Sequence, residues 1–186
     1  MSSGPIVPAA TERLVFRTWS ADDLGLAMGL WGDPRVTALV DARPALDEAA
    51  VRDRLAQEIA RQRDHGVSYW PIFLRATGEH VGCCGLRPRE SGRSDGARAP
   101  EARVFELGFH VCHAFWRRGF ALEAARATVD CAFGPLGATS LFAGHNPNNT
   151  ASRALLEKLG FCHTHDELYP PTGLLHPSYR LDRSAG

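Results

Sequence analysis

Between Glu106 and Phe133 the chain reads Glu106-Leu-Gly-Phe-His-Val111, then Cys112-His-Ala-Phe115, then Trp116-Arg-Arg-Gly-Phe-Ala121, and continues into a helical pattern. A strand that passes through a glycine-containing turn straight into a helix restricts the fold more than any composition does. It aims unpaired backbone N–H groups and the positive end of the helix at one point, which suits a phosphate. Arg117 and Arg118 add charge there. The small Gly119 and Ala121 let an anion reach the backbone without a Cβ in the way.

Elements on either side of this junction can be read from periodicity. Leu14–Arg17 has strand composition. Leu24, Ala27, Met28 and Trp31 form one helical stripe, capped by Ser20 and stopped at Asp33-Pro34. Val51, Leu55, Ile59 and Gln62 predict a second helix over Asp47–His65, ended by Gly66. Ser68–Arg75 and His80–Arg87 read as an antiparallel hairpin, and Arg103–Val111 as the next strand. The helix over Gly119–Phe133 presents Leu122, Ala125, Val129, Ala132 and Phe133 on one face. A short strand at Ser140–Ala143, a helix over Asn149–Leu159 and strands at Phe161–Glu167 and Ser178–Leu181 complete the order. No repeat is present, and a mixed sheet with helices on both faces fits best. We expect one domain over residues 1–186, with 1–12 a loose terminus and 88–101 a flexible, breaker-rich insertion.

Composition removes several functions. Lys+Arg and Asp+Glu are equal at 21 each, so no bulk charge favours a nucleic-acid partner. Lys158 is the sole lysine, which leaves little room for Schiff-base chemistry. No segment nears the ~20 apolar residues of a membrane span. Five irregularly spaced cysteines and the lack of a secretory start suggest reduced thiols and a cytoplasmic location. The oligomeric state is not written in the sequence; among soluble oligomers the homodimer is the commonest assembly, which keeps a homodimer open.

Trp116–Ala121 resembles the Gln/Arg-x-x-Gly-x-Gly/Ala pyrophosphate loop of the GNAT superfamily of acyl-CoA-dependent N-acyltransferases, departing at its first position. That tryptophan and the following Glu123-Ala124 are similar to the RimJ/RimL-type branch. So are Gly32–Val36, Thr77–Leu86, and Asn146–Ser152 through Glu157–Phe161. The resemblance runs from about Thr11 to Leu181. It implies an α/β GNAT fold, a splayed mixed sheet of six to seven strands, with acetyl-CoA as cosubstrate between the strand ending at Val111 and the one starting at Ser140. It further implies that backbone groups of Phe109 and Val111 pair with the pantetheine arm. The loop from Trp116 through Arg117, Arg118, Gly119, Phe120 and Ala121 to Leu122 would hold the pyrophosphate, and Asn149 would contact the arm near the thioester. The activity implied is acetyl transfer to a primary amine, either a protein or peptide N-terminus or a small molecule, by direct attack.

Glu106 shares a strand face with Gly108 and His110 and is the candidate base; the ordinary alternative is a strand carboxylate paired with an arginine. In the family's usual tyrosine slot this chain has Leu156. The RimL-like alternative maps onto Ser152 as hydrogen-bond donor to the thiolate, against a plain first-turn serine. Leu156 also keeps open a non-catalytic acyl-CoA-binding regulatory module. Tyr69, Trp31, Trp70 and Phe73 are candidates for an acceptor wall or for core. Cys83, Cys84 and Cys112 read as packing rather than nucleophiles. His163, His165 and His176 lack the partners of a metal site, so no metal is expected.

Overall fold

The computed structural model describes residues 4–38, 40, 46–89 and 103–183. Most of the 88–101 insertion lies outside the described residues. Seven strands form one sheet: β1 Leu14–Phe16, β2 Tyr69–Leu74, β3 His80–Pro88, β4 Val104–Val111, β5 Ser140–Gly144, β6 Cys162–Tyr169 and β7 Leu174–Asp182. Their order is β1-β2-β3-β4-β5-β7-β6. All neighbours are antiparallel except β4 and β5, which run parallel. This is the mixed sheet expected.

The helices are α1 Leu24–Trp31, α2 Pro34–Thr37, α3 Glu48–His65, α4 Phe120–Phe133 and α5 Thr150–Lys158. Each start and stop has a local cause. Asp47 accepts from Ala50 N–H to cap α3, and Gly66, at φ 71°, ends it in the left-handed region. Asp33 does more than stop α1: its carboxylate accepts from Arg35 N–H and starts α2.

Two apolar clusters lie against the sheet. One joins α1 and α3 to Tyr69 and Cys83. The other joins α4, Leu155 and Leu156 to Trp70, Ile72, Cys84 and Leu86. Adjacent Cys83 and Cys84 thus face opposite clusters, and burial raises both thiols, that of Cys84 to about 12. A bulge where Ile72 pairs Gly82 and Phe73 pairs His80 inserts Val81, putting it in the same cluster as Cys84.

The structure corrects three expectations. The buried face of α4 is Phe120, Ala124, Ala125, Thr128, Cys131 and Ala132, while Leu122, Val129 and Phe133 are half-buried, because Phe120 at the first position anchors the face. On α3 the third buried position is Glu58, not Ile59. Residues near the start are tied down, with Val7 packed on the core and Thr11 bonded to Glu123 at 2.5 Å.

Candidate functional site

β4 and β5 pair only over Val104–Glu106 and Ser140–Phe142. Beyond Glu106 they part, while β4 keeps regular pairing with β3 through Val111 and Gly82. Backbone alternation sets what faces the gap. Val104 C=O accepts from Arg89 and Cys112 N–H donates to Val81, so even-numbered residues turn their polar groups to β3. Odd-numbered residues turn theirs the other way: Arg103 C=O accepts from Thr139, and Val111 C=O accepts from Trp116 Nε1 at 2.7 Å. Phe109 therefore offers both N–H and C=O to the gap. Val111 offers only its N–H.

The gap opens into a cleft of about 650 Å³. Glu106, Phe109, Asn149 and Ser152 all line it, together with Ala143–Asn146 from the end of β5. Among the described residues nothing hydrogen-bonds or ion-pairs the Glu106 carboxylate. Arg87 is its cross-strand partner but makes no contact with it at ion-pair distance. Asn149 accepts from Ser152 N–H at 3.0 Å, capping α5. That bond occupies the Ser152 amide; the residue is largely buried in the cleft wall, and its hydroxyl has no partner among the described residues.

Toward α3, the cleft floor is built on glycine. Gly108 sits under Tyr69, where a Cβ would lie 2.2 Å from the ring. The Arg87 guanidinium stacks on that ring at 4.3 Å. His110 accepts from Trp31 Nε1 at 3.3 Å through Nδ1, which leaves its proton on Nε2. Burial, with Arg54 and Arg87 nearby, holds His110 well below its usual pKa, and therefore neutral. Burial likewise lifts the Tyr69 phenol and the Cys112 thiol, the latter to about 11.

At the far end of β4 lies the turn into α4. Gly119, at φ 80°, caps α4, and Arg117 is also left-handed at φ 59°. N–H groups of Phe120, Ala121 and Leu122 have no partner within the helix, which begins its bonding with Glu123 N–H to Gly119. Arg13 braces this turn: it donates to Glu123 and to Arg118 C=O at 3.1 Å, and lies over the Phe120 ring. Burial works against ionisation of Glu123, but bonds from Thr11 and Arg13 lower its pKa on balance. Glu123 is thereby neutralised beside a turn suited to anions.

Glu106, Phe109, Asn149 and Ser152 thus share one cleft, whereas Val111 and Trp116–Leu122 stand outside its lining. Trp116 spends its indole N–H on the strand, and Phe120 buries its ring in the core. Of the aromatic wall candidates only Tyr69 reaches the cleft; Trp31 and Trp70 are fully buried, and Phe73 packs on His80. His163 bonds Asp166 and His176 bonds Thr172, and among the described residues no three ligand side chains are grouped for a metal. Sequence reasoning missed Arg54, Arg87 and His145. His145 stacks on Tyr179 with its Nε2 buried and unpartnered, and no sequence pattern marked it.

Residues 13–162 match the model of the acetyltransferase (GNAT) domain. The chain belongs to the GNAT acetyltransferase family. An uncharacterized N-acetyltransferase p20 of Bacillus licheniformis is 29% identical over 153 residues, 81% of this chain and 80% of that protein. An FsC-acetyl coenzyme A-N(2)-transacetylase of Aspergillus fumigatus is 31% identical over 171 residues, 88% of this chain and 70% of that one. Among solved structures, RimL, a ribosomal L7/L12 alpha-N-protein acetyltransferase in complex with coenzyme A, shares the fold at TM-score 0.75 and 13% identity, covering 94% and 96% of the two chains. GNAT acetyltransferases use acetyl-CoA. No helix among the described residues of this GNAT acetyltransferase is long and apolar enough to cross a membrane.

Proposed function

We propose that the enzyme transfers the acetyl group of acetyl-CoA to a primary amine by direct attack within a ternary complex, as in the RimJ/RimL-like branch. The observation that carries this reading is the juxtaposition, in one cleft, of Phe109 backbone groups, the Glu106 carboxylate and the Ser152 hydroxyl, none of which has a partner among the described residues.

The residues present fit the cosubstrate. A pantetheine arm carries amides that pair with a strand edge, and the open edge at Phe109 and Val111 supplies two N–H groups and one C=O. The N–H groups of Phe120–Leu122, with Gly119 left-handed before them, fit a pyrophosphate. Acetyl-CoA supplies the activated acetyl group. Glu106 takes a proton from the acceptor ammonium, directly or through one water, so that a neutral amine attacks. One of the two edge N–H groups pairs with the arm, and the other polarises the thioester carbonyl. After attack the nitrogen sheds its second proton to solvent, while Ser152 donates its hydroxyl proton to the departing sulfur and recovers one from solvent. The products are the N-acetylated amine and free CoA thiol. Holding both substrates in register supplies much of the acceleration. The five free thiols suit a reducing, cytoplasmic setting.

The pH profile of Glu106→Gln tests the base. We expect kcat/KM for the acceptor to fall about 100-fold and the acidic limb of the profile to vanish. A variant with wild-type kcat/KM and an intact acidic limb removes Glu106 from the role.

A further inference from the structure

The floor of the cleft beside Glu106 holds two guanidinium groups that have no close carboxylate partner among the described residues. Arg54 and Arg87 both line it. Arg54 rises from α3 and lies over the Trp31 ring at 4.7 Å. Among the described residues it has no hydrogen bond or ion pair, and its Nε is buried without a partner. Arg87 is oriented by the Tyr69 ring, and its Nε is also buried and unpartnered. Among the described residues its one carboxylate contact is Glu58 Oε1 at 3.5 Å. Glu58 is already engaged by Arg61 and by Tyr69 N–H at 2.9 Å. The remaining charged groups nearby do not redress this. Arg89 pairs with Glu167 at 3.4 Å, Asp53 sits at the rim, and His110 is neutral.

Once Glu106 faces a substrate ammonium, Glu58 is the one buried carboxylate left beside Arg54, Arg61 and Arg87 among the described residues. Guanidinium groups withdrawn from water without counter-charge are costly. A carboxylate matches their planar fork better than any neutral group. The Tyr69 hydroxyl and the His110 Nε2–H add neutral donors on the same floor.

Resting on the amine acetylation proposed above, we propose that the acceptor is an amine bearing a free carboxylate, an amino acid, with Arg54 and Arg87 gripping the carboxylate while Glu106 receives the ammonium. Arg87 stands opposite Glu106 across adjacent strands and Arg54 lines the same cleft from α3, so a polyamine or an amine whose acid is capped lacks the group these arginines take.

The test uses the full chain with acetyl-CoA and reads thiol release on free amino acids and on their matched carboxamides. We expect kcat/KM about 10- to 100-fold higher for the acids, the range for a charge-assisted pair. Arg54→Gln and Arg87→Lys should each move the acid-to-amide ratio toward 1. That ratio is internal to each sample, so partial misfolding of the Arg87 variant does not imitate the effect. Amides accepted as well as acids, turnover confined to peptides or polyamines, or a ratio unmoved in both variants overturns the proposal. If neither set turns over, thermal stabilisation of the acetyl-CoA complex by acids and not amides upholds it, and its absence overturns it. Calorimetry of acetyl-CoA alone separates the underlying reading: no binding there removes acetyl transfer itself.

Discussion

Gly108→Ala is the sharpest perturbation the cleft offers. A Cβ at this position would lie 2.2 Å from Tyr69 Cζ and Oη, whereas ordinary contact begins near 3.4 Å. The ring has to move by at least about 1 Å to reach ordinary contact. Its backbone cannot follow easily, because Tyr69 N–H is held by Glu58 at 2.9 Å and Tyr69 C=O by Trp19 Nε1 at 2.6 Å. The strain falls on the side chain and on the Arg87 guanidinium stacked over it at 4.3 Å. Overpacking of this kind costs roughly 1–3 kcal/mol. For a chain of this length, that lowers Tm by about 2–4 °C per kcal/mol. The functional effect should be one-sided. Displacing Tyr69 and Arg87 deforms the floor where the acceptor sits, so acceptor KM should rise about 10-fold, the effect of losing one good polar contact. The outer edge of β4 keeps its register with β3, so acetyl-CoA affinity should stay within about twofold. Differential scanning calorimetry, acceptor kinetics and acetyl-CoA titration on one preparation read all three. Wild-type Tm together with wild-type acceptor KM refutes the steric argument, and an equal loss of acetyl-CoA affinity refutes the division of the cleft into two sides.

Gly119→Val forces a β-branched residue to φ 80°, where L side chains are strained by about 1–2 kcal/mol. Acetyl-CoA affinity should drop about 10-fold by calorimetry, and an unchanged Kd removes the helix start from pyrophosphate binding. Burial among Trp19 and Phe73 holds His80 down to about 4, below its free value of 6.5. A histidine depressed in the folded state favours folding fully above its unfolded pKa and loses that contribution as pH falls toward 4. Urea midpoints should therefore decline from pH 6.5 to 5, and less steeply in His80→Phe; identical slopes would show that His80 is not the group responsible.

How much of this was legible in the sequence depends on whether a feature repeats along the chain or is assembled across it. Helix ends were legible because Asp47, Gly66, Asn149 and Gly160 act within a few residues of themselves. The hairpin of β2 and β3 was legible for the same reason, although the bulge at Val81 was not. Glu106, Asn149 and Ser152 fall on motifs that a resemblance could carry. Arg54 and Arg87 carry no such motif, because an arginine on a helix or strand has the same local signature whether it faces water or a cleft. One signal was available. Glu58 occupies the apolar stripe of α3, and a carboxylate on a buried stripe requires a cationic partner. That requirement points to Arg61 and Arg87, and from Arg87 to the floor of the site.

The economy of the site lies in β4, where a period of two assigns three tasks to one strand. Side chains of Glu106 and His110 face α3 and the acceptor floor. Leu107 joins the cluster under α4, with Phe109 packed against it. Backbone groups of Phe109 and Val111 project sideways into the space from which β5 has withdrawn. These assignments hold only if the pairing of β3 and β4 stays regular from Gly82 to Pro88, and it does. The bulge of β3 lies just outside that span, on its ladder with β2, so it adjusts the hairpin without changing the phase of β4. A one-residue slip here would send Glu106 toward α4, Phe109 onto the acceptor floor, and the free N–H groups back toward β3. Base, core and cosubstrate edge would be lost together, which is why the register of a single strand fixes the chemistry available to the whole cleft.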